Sequence, residues 1–366
     1  MKILFITPHG GYTGSEMLIW QLLQELTRRD KQVAWFARNQ GTLQNHVADV
    51  SFPAFFYPQK HSFVNSIYEG IYLKVNQKLP VNRALLQYHK QQKPDLWYLN
   101  TGVMPDVAAL AQQVGIPYVV HMHELTSAFD EYRSDSFLAM LSGAEKIIGC
   151  AGIVQRRMQQ LGFSTTELMY SCIDHERIRI RRSASEMRQQ MGIPDGAFVW
   201  MMSGTASLRK GYDLIPDLLN HLPDHVYVCW LGKPRDSALR TYVEKRVVDE
   251  RLNYRALNEQ SDDYFDYLNA ADGFVLTSRE DPFPLVMIEA AALGKPIAAF
   301  NSGGASEFIL PGMGDVIDSL NPADLARSME AIRLGKCLTS SSVSQARAAA
   351  FSMSRQADDF CRILQF

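Results

Sequence analysis

Apolar runs of strand length alternate along this chain with longer stretches in which apolar residues recur at helical spacing. "KILFIT", "QVAWFA", "DLWYLN", "YVVHMH" and "KIIGC" in the first half, and "FVWMMSG", "VYVCWLG", "GFVLTS" and "PIAAF" in the second, are nearly continuous in apolar residues. Strands of that kind are covered on both faces, as parallel strands joined by crossover helices are. Each half restarts the same order of strand, glycine turn and helix. The pattern predicts an α/β chain of two doubly wound, Rossmann-like domains, not one large sheet.

With 366 residues the chain can bury two ordinary cores. The first domain is expected over residues 1–175 and the second over 191–351, with the arginine-rich stretch 176–190 as linker. Hydrophobic residues at 46% and a net charge of −2 describe a globular protein without the basic excess that tracks nucleic acid. Five scattered cysteines with no CxxC spacing fit a reducing compartment and neither disulfides nor zinc. The start, "MKILFITPHGG", reads as a strand meeting a glycine turn, too short an apolar run for a signal peptide or a membrane span. The expected location is the cytoplasm. Between Phe52 and Lys93, lysine and arginine outnumber the single acid Glu69, with Phe55, Phe56, Tyr57, Phe63, Tyr68 and Tyr72 among them. Such a stretch either docks peripherally on the anionic inner face of a membrane or packs its aromatics inward as an ordinary insertion.

Four constellations can carry chemistry. In "TPHGGYTGSEM", Gly10, Gly11 and Gly14 sit between a strand and a helix, where backbone N–H groups can approach a phosphate, or simply make a turn. The spacing is not the dinucleotide fingerprint, and the second strand ends at Arg38 where a ribose would want an acid. "VVHMHEL" closes a strand with His121, His123 and Glu124, and alternation sends both histidines to one side. There they can bond a substrate hydroxyl, or be satisfied by local backbone. "SGTASLRKGYDLI" places Arg209 and Lys210 where a pyrophosphate needs neutralising, the bland alternative being a solvated turn. No D-x-D pair stands anywhere to hold a metal for that task, so cations are expected to do it.

The fourth, "SREDPFPLVMIEAAALGKPIAAF", has Glu280 and Asp281 before two prolines, then Phe283, Pro284 and Leu285 entering a helix that carries Glu289. Pro284 suits the first turn of that helix. Asp281 and Glu289 can bracket a nucleotide sugar, the first near hexose hydroxyls and the second at the ribose; equally, acids near a helix start offset its dipole. "NSGGASEF" follows, with Gly303, Gly304 and Glu307 opening a further short helix.

Taken together, "GGYTGSE", "HMHEL", "YSCID", "RKG", "DPFPLVMIEAAALGKP" and "GGASE" resemble the family-4 glycosyltransferases of GT-B type, two Rossmann-like domains facing a central cleft. The end, "FSMSRQADDFCRILQF", resembles the terminal helix (352–366) that in this fold completes the first domain. The family's acid-x7-acid motif, usually glutamate at both ends, matches Asp281 and Glu289, with Asp in place of the first Glu. The resemblance implies a retaining, metal-independent, cofactor-free hexosyltransferase. Its donor is a UDP- or GDP-sugar and its acceptor a glycan or a lipid-linked intermediate of polysaccharide biosynthesis. His123, Lys210, Asp281 and Glu289 are then the expected catalytic set, with His121, Glu124, Arg209 and the glycine turns at the substrates. The rivals are a nucleotide-sugar epimerase of the same fold and a non-catalytic nucleotide-sugar-binding protein; an NAD-dependent dehydrogenase comes last.

Overall fold

The structure, a computed structural model, describes residues 1–11, 14–58, 80–125, 134–233, 236–258 and 263–366. The chain divides into two compact units, Met1–Ser171 with Met353–Phe366, and Cys172–Ser352. Residues 176–190 therefore belong to the second unit. There the helix Ala184–Gln190 opens on a capping box, with Ser183 and Glu186 each bonding the other's backbone N–H.

In the first unit β1 (Lys2–Thr7), β2 (Gln32–Ala37), β3 (Ala54–Phe56), β4 (Leu96–Leu99), β5 (Tyr118–Met122), β6 (Lys146–Gly149) and β7 (Glu167–Leu168) form a sheet in the order β3-β2-β1-β4-β5-β6-β7. In the second, β8 (Phe198–Ser203), β9 (Val226–Leu231), β10 (Tyr254–Leu257), β11 (Gly273–Leu276), β12 (Ile297–Phe300) and β13 (Gly314–Ile317) follow the order β10-β9-β8-β11-β12-β13. Both sheets are parallel. Each reverses its winding direction at one place, between β1 and β4 and between β8 and β11. Connections leave those neighbours in opposite directions, which opens a crevice at their carboxyl ends. The central strands are buried on both faces, and Trp35, Trp97, Trp200 and Trp230 fill the cores.

The last helix, Met353–Leu364, buries Met353, Gln356, Ala357, Phe360, Ile363 and Leu364, a stripe at helical spacing. It lies on the first unit. Phe360 stacks on Phe5 at 5.5 Å and meets Tyr98 at 5.4 Å. Arg29, just past the end of the first helix, Gly14–Arg28, clamps it through Asp358 and Ser354.

Of the aromatics of 52–93 that the structure describes, Phe52 and Tyr88 are buried, Phe56 and Tyr57 are half-buried and Phe55 is exposed. Phe52 meets the edge of Trp20, Phe55 stacks on Phe36, and Phe56 sets its edge on Trp35. Phe63, Tyr68 and Tyr72 lie outside the described residues. No described helix is long and apolar enough to cross a membrane.

Because Phe360 is wholly buried, Phe360→Ala is expected to destabilise the first unit by about 3–5 kcal/mol. Urea unfolding followed by tryptophan fluorescence measures it. A loss below about 1 kcal/mol, the scale of a surface change, would mean that the helix is only loosely applied.

Candidate active site

Lys210 and Asp281 meet because of where β8 and β11 end. The loop after β8 carries Arg209 and Lys210, and the loop after β11 carries Glu280 and Asp281, so both overhang the crevice of the second sheet. Gly211 permits the close approach. At φ 73° it lies in the left-handed region, and a Cβ there would stand 2.1 Å from the carbonyl oxygen of Thr277. Thr277 Oγ1 donates to the Lys210 carbonyl at 2.8 Å, and the Arg279 N–H donates to the Arg209 carbonyl at 2.8 Å. The Arg279 guanidinium then grips both carboxylate oxygens of Asp213, each at 2.7 Å.

Held this way, Lys210 Nζ forms an ion pair with Asp281 Oδ2, which also accepts from Ser278 Oγ at 3.2 Å. Both partners are largely buried, at 12% and 8% side-chain exposure. Arg209, about half exposed, donates to the Glu280 carbonyl at 2.8 Å and stands 3.9 Å from Asp281 Oδ1. Asp281 is thus the acid that faces the cations with its side chain, while Glu280 contributes a main-chain oxygen. Two cations stand against one inward carboxylate. The Asp281 backbone is fixed from behind, its N–H donating to Ser302 and its carbonyl accepting from Gly304.

The next helix, Leu285–Ala292, starts with Pro284 as N-cap, one position earlier than expected. Proline there removes no helical donor and leaves the N–H groups of Leu285 and Val286 at the crevice end. Glu289 is half-buried on this helix and accepts from Tyr264 Oη at 2.7 Å. Burial pushes its carboxyl pKa up, while the Tyr264 bond and the Arg177 charge act to lower it. Phe283, expected at the ligand, is instead a core residue, packed against Phe308 and Phe351. Gly304 also has a packing duty, since a Cβ there would stand 2.2 Å from the Pro282 carbonyl oxygen. Gly303 pairs with Asp281 across an isolated parallel bridge, and Glu307 is half-buried in the short helix Ala305–Phe308.

At the β1/β4 crevice of the first unit the polar groups form a neutral chain. Ser15 offers its carbonyl to Asn100 Nδ2 at 3.1 Å, and Asn100 Oδ1 lies 2.9 Å from His123 Nε2. A carbonyl can only accept, so the Asn100 amide is turned with its NH₂ toward Ser15. Its oxygen must then face His123, which places the imidazole proton on Nε2 and leaves Nδ1 as an acceptor. Burial pushes the His123 pKa down to about 3, so the ring is neutral near pH 7. His121 is fully buried beneath it, ring centroids 4.0 Å apart, and bonds Tyr98 Oη at 2.8 Å. Burial first, and the neighbouring His123 second, hold its pKa well below the usual range.

Glu124 has its carboxylate engaged within the protein. It accepts from Thr101 Oγ1, from the Gly102 N–H at 3.1 Å and from the His123 N–H at 2.9 Å, and so ties the ends of β4 and β5 together. Gly10 likewise makes room for Phe56, whose ring carbon would lie 2.3 Å from a Cβ, whereas Gly11 and Gly14 face open space. Tyr264, Asn100 and Tyr98 escaped the sequence reading. Asn100 had a signal, since it ends a strand as the histidines do; Tyr264 had none. Among the described residues no group of three or more His, Cys, Asp or Glu side chains converges as a metal site requires.

Comparison with known proteins agrees with the two-domain fold. Residues 12–177 match the model of Glycosyltransferase Family 4, and residues 183–347 that of Glycosyl transferases group 1. The D-inositol 3-phosphate glycosyltransferase of Streptomyces bingchenggensis is 24% identical over 60% of this chain and 54% of its own. The lipopolysaccharide 1,2-N-acetylglucosaminetransferase of Salmonella typhimurium is 28% identical over 36% of this chain and 38% of its own. The chain spans 54%, 58% and 34% of the length of three of the curated relatives it matches. Among solved structures, Anabaena HepE in complex with UDP-glucose superposes with a TM-score of 0.84 at 21% identity, over 100% of this chain and 99% of that one. A likeness at that identity speaks to the fold, which is GT-B. With one family model on each half and the fold common to both, the chain belongs to the group 1, family 4 glycosyltransferases.

Proposed function

We propose that this protein is a retaining glycosyltransferase that needs no metal or other cofactor. It moves a hexose-type sugar from a UDP- or GDP-linked donor to a hydroxyl of a glycan or lipid-linked acceptor, in the assembly of cell-surface polysaccharide or glycolipid. The observation that carries the reading is Lys210, held against Asp281 beside Arg209 at the β8/β11 crevice and next to the start of the helix Leu285–Ala292. A nucleoside diphosphate leaving a sugar gathers negative charge on its outer phosphate. Fixed cations and N–H dipoles stabilise that charge most where they are already oriented.

In the reaction the bond from the anomeric carbon to the diphosphate oxygen breaks toward an oxocarbenium-like state, as in other glycosyl transfers. The acceptor oxygen bonds to that carbon on the face just vacated, and its proton passes to the departing phosphate oxygen, so configuration is kept. Lys210 and Arg209 meet the growing charge, and the N–H groups of Leu285 and Val286 donate to the phosphates. Asp281 holds Lys210 in place and accepts from hexose hydroxyls, and Glu289 accepts from the ribose. His123, neutral and offering Nδ1, accepts from a sugar hydroxyl. Arg209 and Lys210 supply the positive charge that a metal supplies elsewhere.

Lys210→Ala is expected to lower kcat by about 10²- to 10³-fold, with part of the rate restored in Lys210→Arg. Turnover within a few-fold of wild type would remove Lys210 from the mechanism. Activity is expected to persist in excess EDTA; complete loss that Mg²⁺ restores would contradict the metal-free reading. Asn100→Asp puts a carboxylate beside His123 Nε2 and so favours the charged ring. Its transfer rate is expected to fall with pH through a raised histidine pKa, while the wild-type profile shows no such fall. Coincident profiles would show that the ring's protonation does not matter.

A further inference from the structure

Tyr264 opens the helix Tyr264–Asn269 and points its hydroxyl at Glu289, which belongs to a different helix and lies 25 residues further along the chain. Burial keeps the phenol neutral, so it donates and the carboxylate accepts. Ser203, at the carboxyl end of β8, acts on the same hydroxyl and works against burial by lowering its pKa. Tyr264 and Glu289 thereby form one directed bond, hydroxyl to carboxylate. It ends on Oε2 and leaves Oε1 outside that bond. A carboxylate on a half-buried helix face has several rotamers, and one short bond from a buried partner selects among them.

We propose that Tyr264 is a positioning residue: it fixes the Glu289 carboxylate toward the ribose diol and so sets the preference for ribonucleotides over 2′-deoxyribonucleotides. The inference rests on the donor-site reading of Glu289 given above. Two groups act on that carboxylate from neighbouring elements, Tyr264 and the Arg177 cation, and both favour its ionised form against burial. Loss of the Tyr264 hydroxyl therefore frees the rotamer and also raises the pH at which Glu289 takes up a proton. A carboxylate accepts from both ribose hydroxyls, whereas a carboxylic acid spends one oxygen as a donor. The loss of affinity in Tyr264→Phe must then grow as the buffer moves from mildly alkaline to mildly acidic. A pure packing defect would cost the same factor throughout.

The test is isothermal titration of the full chain with UDP and with GDP, each beside its 2′-deoxy counterpart. Wild type is expected to favour the ribonucleotide by roughly tenfold, the scale of one hydrogen bond to a charged group. Glu289→Gln and Tyr264→Phe should each erase most of that preference, and the double variant should lose no more than either alone. Ser203→Ala, which removes a group acting on the same hydroxyl, should weaken it less and in the same direction, and it serves where Tyr264→Phe fails to fold. If Glu289→Gln erases the preference while Tyr264→Phe keeps it at every pH, the positioning role is wrong and the donor reading stands. A preference untouched by Glu289→Gln overturns the donor reading, and the inference with it.

Discussion

A lysine and an aspartate meet in the crevice of the second sheet, and most of the local sequence follows from the demands of that pair. Charges this far out of water are tolerable only when each has a partner at close range and further hydrogen bonds to occupy what remains. Lys210 obtains this because Gly211 lets its turn press on the end of β11. The Asp281 carboxylate obtains it from Ser278, while the backbone of Ser302 and Gly304 fixes its main chain. Pro282 and Phe283 close the loop, the first by fixing its backbone and the second by anchoring into the core. The prolines, the glycine pair and the buried ring thus serve one geometry.

The two units use one topology with opposite electrostatics. At the β8/β11 crevice the groups are charged, two cations around one inward carboxylate, and a helix N-terminus adds partial positive charge. At the β1/β4 crevice an amide, a hydroxyl and two imidazoles whose pKa values burial drives down are neutral, and the one carboxylate beside them, Glu124, is taken up by Thr101 and the N–H groups of Gly102 and His123. The first arrangement suits phosphate oxygens and the second suits hydroxyl groups, which need acceptors of defined direction more than they need charge. A diphosphate sugar and a sugar hydroxyl call for these two surfaces.

Much of this was legible in the chain itself. The nine strands read from apolar runs are the inner ones, covered on both faces, and their continuous Val, Ile, Phe and Trp content is what burial demands. The four that escaped, β3, β7, β10 and β13, are the outermost strands of the two sheets. They are short and mostly half-exposed: β7, β10 and β13 mix polar residues with apolar ones, and the three apolar residues of β3 are too few to mark a strand. The same physics divides the site. Lys210, Asp281 and Glu289 stand at glycine turns and a proline-capped helix, features with local signatures. That Glu124 ties β4 to β5, that Phe283 is core and that Tyr264 reaches Glu289 depend on neighbours brought together only by folding. Residue type and spacing carry no trace of those contacts.

The central claim, that Lys210 recognises the outer phosphate of a nucleoside diphosphate, is tested most directly by comparing diphosphate with monophosphate binding by calorimetry. The account predicts that wild type binds UDP or GDP much more tightly than the corresponding monophosphate, and that Lys210→Ala binds the two with nearly equal affinity. A variant that keeps the full wild-type preference for the diphosphate would contradict it.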